Sequence, residues 1–248
     1  AKLNQYCNYI ESILAAYRPK LLKNNAPDNM ACFLGRILSP ISKPRPMRTD
    51  NNIASLTTVD DVEFLNDGLI RYISGPNQSF AACLSFKISP DYLEEEFFDT
   101  ISTIQTEMIC MNGFHIMGAA DVEATIRQRR STADENKEST ETQISQAQSV
   151  MDENVSGNQS LVNYYPLFVL FGATPSDLQK YVDEFKKISA TFGISPVVET
   201  FASKVSWFAQ IPGFDVFPRS FKLLSRAAAI SIPMSTQPRG VENSDWGP

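Results

Sequence analysis

The sequence is poor in residues that build metal sites. It has a single histidine, His115, among 248 residues, and its four cysteines form no CxxC pair. Zinc sites are typically made from clustered cysteine and histidine ligands, so these scarcities argue against one. The cysteines lie far apart among apolar neighbours, which indicates buried free thiols in a reducing cytoplasm. They are Cys7, Cys32, Cys83 and Cys110.

Long apolar runs and positive charge are lacking as well. The longest runs, Tyr164 to Gly172 and Ala227 to Ile232, fall short of the roughly 18 residues that a membrane helix needs. The first residues lead into an amphipathic helix pattern and not into the apolar segment of a secretory signal. The net charge of −6 argues against nucleic acid or anionic lipid as a partner, since phosphates favour a basic surface. We therefore expect a soluble intracellular protein that binds no nucleic acid directly.

The sequence carries none of the common catalytic signatures. None of its 11 glycines begins the Walker pattern Gly-x4-Gly-Lys-Ser/Thr, in which backbone amides and the lysine hold nucleotide phosphates. GxGxxG, the Gly-x-Ser-x-Gly elbow and HExxH are also absent. We therefore predict no catalytic, cofactor-binding or metal-binding residue in this chain.

The sequence does contain a hydrophobic fraction of 43%, enough for a sizeable core. Apolar residues recur at three- and four-residue steps from Leu3 to Leu21, which predicts an amphipathic helix. The apolar run from Met30 to Leu38 is interpreted as a buried strand. Prolines between Ser39 and Asn52 predict an extended linker, because proline fixes φ and cannot donate to a strand ladder.

Two strand–helix–strand segments are predicted, from Phe80 to Met117 and from Tyr165 to Thr200. Before the first, a strand region around Glu63 to Ser74 contains the turn signal Asn66-Asp67-Gly68. It leads through the turn Gly75-Pro76-Asn77 into Phe80 to Ile88, which indicates an antiparallel hairpin. In the second, Thr174-Pro175 supplies a helix cap and a first helical residue, and Phe192-Gly193 ends the helix. The predicted fold class is α+β, with mixed sheets and packed helices, two α/β halves and a long polar helical arm.

The polar arm is predicted at residues 119–156. Its apolar positions are sparse, and residues 131–143 are almost entirely polar, so this stretch cannot enter a core. It forms either a projecting helical arm or two helices joined by a disordered loop. The predicted domains are thus residues 1–118, the arm at 119–156, and residues 157–248 with a loop-rich C-terminus.

A short basic cluster on the arm is the predicted partner-binding site. Arg127, Arg129 and Arg130 suit phosphate or an acidic partner, although a solvated helix face has the same pattern. Two alternatives stay open. One is a stand-alone enzyme that uses His115 or the carboxylates of Glu94 to Glu96, and the other is a nucleic-acid-binding module that uses the arginine cluster.

The C-terminal quarter carries a distinctive series of motifs. Ser206-Trp207-Phe208-Ala209-Gln210-Ile211-Pro212-Gly213 is followed by Arg219, by Ser225-Arg226-Ala227-Ala228 and by Trp246-Gly247. This series resembles the type IV secretion system ATPases of the CagE/TrbE/VirB family, the fourth component of the VirB-type machine. The similarity covers about the last two thirds of the chain. One departure is Arg226, where many members have asparagine.

The resemblance implies the N-terminal, non-catalytic part of such an ATPase, with the ATPase core expected after Trp246-Gly247-Pro248. It implies no cofactor in this chain, and ATP and magnesium in the parent protein. It also implies partners among other type IV secretion proteins at the inner membrane, a homo-oligomer of the parent, and a cytoplasmic location peripheral to the bacterial inner membrane. Trp207 and Phe208 are expected to pack, and Pro212-Gly213 to turn the chain.

Overall fold

The computed structural model describes residues 2–13, 27–41, 60–88, 94–118, 121–125 and 160–232. The chain divides into two compact units. The first comprises Ala1–Asp61, Tyr72–Asn77 and Met234–Pro248, and the second comprises Val62–Arg71 and Gln78–Pro233. The predicted division at residues 118 and 156 stays a prediction.

The first unit contains two described helices, α1 (Lys2–Ile13) and α2 (Pro27–Leu38). Helix α1 confirms the start of the predicted amphipathic helix, whose later residues lie outside the described part. The strand predicted within α2 is wrong. Its apolar residues recur at helical steps, and Pro27 stands at the first helical position, where its missing N–H is tolerated.

Two hydrogen bonds join the borders of the segment 42–59, which itself lies outside the described residues. The Asp60 backbone N–H donates to the Ser39 hydroxyl at 3.1 Å. The Ile41 backbone N–H donates to the Asp60 carboxylate at 3.0 Å. These bonds bring the end of α2 to the start of the first strand within this unit.

The sheet contains seven described strands in the order β1-β2-β3-β5-β4, with β6 paired to β3 and β7 to β5. The strands are β1 (Asp61–Phe64), β2 (Leu69–Ser74), β3 (Asn77–Ile88), β4 (Met108–Ile116), β5 (Leu161–Gly172), β6 (Ser195–Val198) and β7 (Phe221–Leu224). The remaining helices are α3 (Glu95–Ile101), α4 (Pro175–Thr191), α5 (Ser203–Ala209) and α6 (Ser225–Ile230). The α+β class is confirmed.

Both predicted strand–helix–strand segments form, and they interleave in this one sheet. Strand β5 pairs antiparallel with β3 and with β4, and β3 pairs antiparallel with β6. Hence β3 and β4 run parallel with β5 between them, and β5 and β6 run parallel with β3 between them. This double split β-α-β, in the order β6-β3-β5-β4, is the arrangement of ferredoxin-like folds.

One face of the sheet carries the main core. Phe168 of β5 lies 4.9 Å from Phe185 of α4 and 6.2 Å from Phe97 of α3, measured between ring centroids. Edge-to-face and tilted aromatic pairs at these distances stabilise beyond the area that they bury. Both helices therefore cover the same face, together with buried residues of β3 and β5. The buried residues that β3, β5, α3 and α4 contribute to this core are Phe80, Ala82, Leu84, Phe86, Phe97, Phe98, Ile101, Val162, Tyr164, Phe168, Leu170, Leu178, Val182 and Phe185.

Helix α4 begins and ends as its sequence predicts. The Thr174 hydroxyl accepts the Asp177 backbone N–H at 3.1 Å, and Pro175 is the first helical residue. At the other end Gly193 has a φ of 68°, which favours glycine because an L side chain is strained there. The cap, the proline and the glycine together set the length of α4.

Gly172, the last residue of β5, lies directly against α4. A Cβ at this position would lie 2.8 Å from both the backbone nitrogen and the Cβ of Leu178. Neither atom can move without moving the helix. Because glycine has no side chain, α4 can pack directly against the end of β5, the strand that precedes it.

We expect Gly172→Ala to destabilise the fold by about 1–3 kcal/mol, as overpacking of a core does. The control is Gly35→Ala in α2, where a Cβ would meet nothing within 4 Å. Alanine favours a helix over glycine by about 1 kcal/mol, so the control is expected to be neutral or stabilising. Urea unfolding of the two variants measures both effects. If Gly172→Ala unfolds at the same urea concentration as the unsubstituted chain, α4 does not pack against Gly172 as described.

Candidate functional site

The aromatic motif of the C-terminal quarter forms helix α5 and the turn that follows it. Trp207 is buried, with ring centroids 5.9 Å from Phe64 and 4.9 Å from Phe208, both edge-on. Phe208 in turn stacks on Phe214 at 5.9 Å. The motif therefore begins as a packed aromatic cluster.

A tight turn closes the motif. The Ile211 backbone N–H donates to the Phe208 carbonyl at 3.0 Å, and the Phe214 N–H donates to the Ile211 carbonyl at 3.1 Å. Gly213 has a φ of 90°, a conformation that glycine adopts at little cost. These contacts confirm that Trp207 and Phe208 pack and that Pro212-Gly213 turns the chain.

Two buried polar side chains, one on α5 and one at its C-cap, have no hydrogen-bond partner among the described residues. The Ser206 hydroxyl and the Gln210 amide, one helical turn apart, make no hydrogen bond to any described residue. Most buried polar groups are hydrogen-bonded, so such pairs are uncommon in native proteins. The sequence does not predict this feature, because nothing in the motif indicates that Ser206 and Gln210 are buried.

Glu199 anchors the segment that carries the motif. Its carboxylate is buried, accepts a hydrogen bond from the Ser85 hydroxyl of β3, and accepts the Arg219 Nε–H at 2.6 Å. Its backbone N–H donates to the Cys83 carbonyl at 2.9 Å. Glu199 and Arg219 thus close the segment 199–219 into a loop fixed to the sheet. We call this cluster of Ser85, Glu199 and Arg219 the Glu199 clasp.

The β1–β2 turn packs against the start of the same segment. Gly68 has a φ of 87°, and a Cβ on it would lie 2.7 Å from the Cα of Thr200. Only glycine combines this conformation with so close a backbone approach. The predicted Asn66-Asp67-Gly68 turn is confirmed, and it also positions the neighbour of Glu199.

A second polar link fixes where the chain leaves the sheet. The Tyr164 hydroxyl donates to Asn112 Oδ1 at 2.7 Å, and Asn112 Nδ2 donates to the Ser231 carbonyl at 2.9 Å. Burial raises the pKa of Tyr164 well above its usual value, so the phenol stays protonated and remains a donor. The link joins β5 and β4 to the end of α6.

The buried thiols are not poised for nucleophilic chemistry. Burial, and secondarily the charge of Glu199, raises the pKa of Cys83 to about 12. Burial raises the pKa of Cys110 to about 11, although a hydrogen bond from Asn112 opposes the shift. The thiolate is the reactive form, so the buried Cys83 is inert and the partly exposed Cys110 is not activated as a nucleophile at neutral pH. Cys83 is a buried free thiol, as expected, whereas Cys7 and Cys110 are free but only partly buried.

The other sequence candidates are exposed or lie outside the described residues. His115 and the side chains of Glu94 and Glu96 are exposed and make no side-chain hydrogen bond within the described part of the chain. No group of three or more His, Cys, Asp or Glu among the described residues is arranged to hold a metal ion. Within the same residues, no helix has the length and apolarity of a membrane span. The arginine cluster Arg127, Arg129 and Arg130 lies outside the described residues.

Comparison with known families decides the relationship. Residues 24–219, more than half of the chain, match the model of the CagE, TrbE, VirB family, described as a component of a type IV transporter system. The chain belongs to the CagE/TrbE/VirB family. The matched region contains the aromatic motif, and it ends at Arg219 of the Glu199 clasp. A search of curated proteins finds no match.

Arg219→Ala tests whether the clasp holds the family's motif segment in place. Removing one partner of a fully buried pair costs about 3–5 kcal/mol, because the other charge stays buried. The Arg219 side chain is 39% exposed, so we expect a smaller loss, about 1–2 kcal/mol. The matched control is Arg71→Ala, whose ion pair with Glu63 lies on the surface and whose loss we expect to be under about 1 kcal/mol. Chemical unfolding gives both values, and a larger loss in Arg71→Ala would contradict the assignment.

Alkaline pH tests the burial of Cys83. In the unfolded chain a thiol has a pKa of about 8.5. In the folded chain the pKa of Cys83 is about 12, so this thiol stays protonated to much higher pH. Its contribution to stability is therefore complete below the unfolded pKa and is lost as pH rises towards the folded pKa. We expect the free energy of unfolding to fall above about pH 8.5, by up to about 1.4 kcal/mol per pH unit for this thiol.

Urea unfolding at a series of alkaline pH values measures this slope. Cys83→Ala is expected to flatten it, whereas Cys7→Ala, at a partly exposed position, is expected to leave it unchanged. An unchanged slope in Cys83→Ala would show that this thiol is not protected by the fold.

Proposed function

We propose that this chain is the non-catalytic assembly and docking domain of a type IV secretion ATPase, which energises pilus assembly and transfer of DNA or protein. The family match carries the proposal, because it extends through a motif that builds a packed turn and no catalytic constellation. ATP and magnesium would bind in another part of the parent protein. The partners would be other secretion components at the inner membrane, and the parent would act in the cytoplasm, peripheral to that membrane, as a homo-oligomer.

An exposed aromatic side chain supports a docking role. Phe201 is fully exposed and lies between the buried residues Glu199 and Ser203. The Glu199 clasp fixes the backbone immediately before it, and Thr200 packs against Gly68. An aromatic residue held on a rigid segment loses little entropy on binding, which is the property of interface hot spots. Phe201 is therefore the residue on which a partner contact of this domain would centre.

The first experiment asks whether the chain hydrolyses ATP. We expect turnover of the isolated chain to equal the buffer background, and turnover of the parent protein to depend on its own Walker lysine. Hydrolysis by this chain that a substitution within it abolishes would contradict the non-catalytic assignment.

The second experiment separates docking from catalysis in the parent protein. Phe201→Ala is expected to reduce substrate transfer by at least about tenfold, a loss typical of a hot spot, with ATP turnover unchanged. Ile230→Ala, at a partly exposed apolar position on α6, is the matched control and is expected to retain transfer. Full transfer by Phe201→Ala would remove this contact from the proposal, and loss of ATP turnover together with transfer would point to a catalytic role.

A further inference from the structure

Strand β4 lies at one end of the sheet that the described strands form. It stands last in the strand order, and its inner edge pairs with β5 over its whole length, from Met108 to Ile116. None of the described strands pairs with its outer edge. Every residue of β4 is at least partly exposed. The outer edge is therefore accessible within the described part of the chain.

The hydrogen bonds at its two ends show which residues of β4 direct their backbone N–H and C=O groups away from β5. The Phe171 N–H donates to the Glu107 carbonyl at 3.1 Å, and the Met117 N–H donates to the Leu161 carbonyl at 2.9 Å. Backbone groups alternate between the two edges along an antiparallel strand. The odd-numbered residues of β4 thus bond to β5, and the even-numbered ones present their N–H and C=O groups to the outer edge. These are Met108, Cys110, Asn112, Phe114 and Ile116.

The composition of β4 is unusual for an open edge. Residues 108–116 include no lysine, no acidic residue and no proline, which are the residues that usually protect an edge from pairing. Phe114 is 39% exposed and Ile116 is 70% exposed. A strand of nine residues without Lys, Arg, Asp or Glu and with exposed apolar side chains is suited to accept another strand.

We propose that the outer edge of β4 pairs with β4 of a second copy of this chain, antiparallel about a two-fold axis at Asn112. In that register Met108 lies opposite Ile116 of the other copy, and Cys110 lies opposite Phe114. All five outward-facing positions then fall in hydrogen-bonded pairs, and each exposed apolar side chain meets an apolar residue.

The strand itself favours a second copy over a charged partner strand. It has no fixed charge to pair with an acidic or basic strand, whereas two copies meet without repulsion. Its centre is also rigid, because Tyr164 and Ser231 hold the Asn112 side chain. A two-fold axis uses the same surface on both copies, as closed dimers do. The inference rests on β4 alone and not on the docking role of Phe201.

A designed disulfide tests the register. Hydrogen-bonded residue pairs have Cα atoms about 5.5 Å apart, within the range that a disulfide spans. Phe114→Cys is expected to bond to the native Cys110 of the other copy and to give a covalent dimer when an oxidant is added at alkaline pH, where more of the Cys110 thiol is ionised. Within one chain these two positions are about 13 Å apart along the strand, so the bond must join two copies. Phe114→Cys combined with Cys110→Ala is the matched control and is expected to stay monomeric.

The association of the unmodified chain provides the second readout. Sedimentation across a concentration series is expected to show a monomer–dimer equilibrium that Ile116→Lys weakens at least about tenfold, because a lysine on the edge opposes pairing. Tyr6→Lys, at a similarly exposed position on α1 (66% against 70% for Ile116), is expected to leave it unchanged. A chain that stays monomeric throughout, a dimer that Ile116→Lys does not weaken, or a disulfide that survives Cys110→Ala would overturn the proposal. Failure here leaves the ATPase and transfer experiments unaffected.

Discussion

The position of strand β5 is the constraint on which the rest of the structure depends. One edge of β5 pairs with β4, and the other edge is divided between β3 at residues 168–172 and β7 at residues 161–164. From Pro166 to Gly172 every residue is buried. A strand in this position needs apolar side chains on both faces, which is why Tyr165 to Phe171 reads as one dense apolar run. The places of β3, β4 and β7 in the sheet are set by their pairing with β5.

The polar contacts of the domain secure the segments that leave this sheet. The Glu199 clasp fixes the segment that carries the family's aromatic motif, and the link from Tyr164 through Asn112 fixes the end of α6. Both contain buried groups, whose desolvation is offset only when every partner is in place.

Sequence reasoning succeeded where the signal is local. The Thr174 cap, the turn at Gly68 and the end of α4 at Gly193 follow from the conformations that these residues favour, and the structure confirms them. It failed at Met30 to Leu38, where a short apolar run fits a strand and a buried helix equally well.

Longer-range features had no such signal. The interleaving of the two strand–helix–strand segments depends on pairings across dozens of residues. The Glu199 clasp joins positions 85, 199 and 219, and nothing in the local sequence of any of them indicates the others. The exposed edge of β4 became visible only when the strand order was known. The family resemblance, in contrast, rested on contiguous motifs and is confirmed by the match over residues 24–219.

Amide hydrogen exchange along β4 and β5 tests this account most directly, because it reads the pairing of each strand edge. In the Ile116→Lys variant, at concentrations where it is monomeric, the β5 amides are expected to exchange slowest, through global unfolding. On β4 the odd-numbered amides, such as Ile109 and Met111, should be protected, and the even-numbered amides, such as Cys110 and Asn112, should exchange fast. Uniform protection along β4, or β5 amides that exchange as fast as those of β1, would contradict a sheet that is organised by β5 and open at β4.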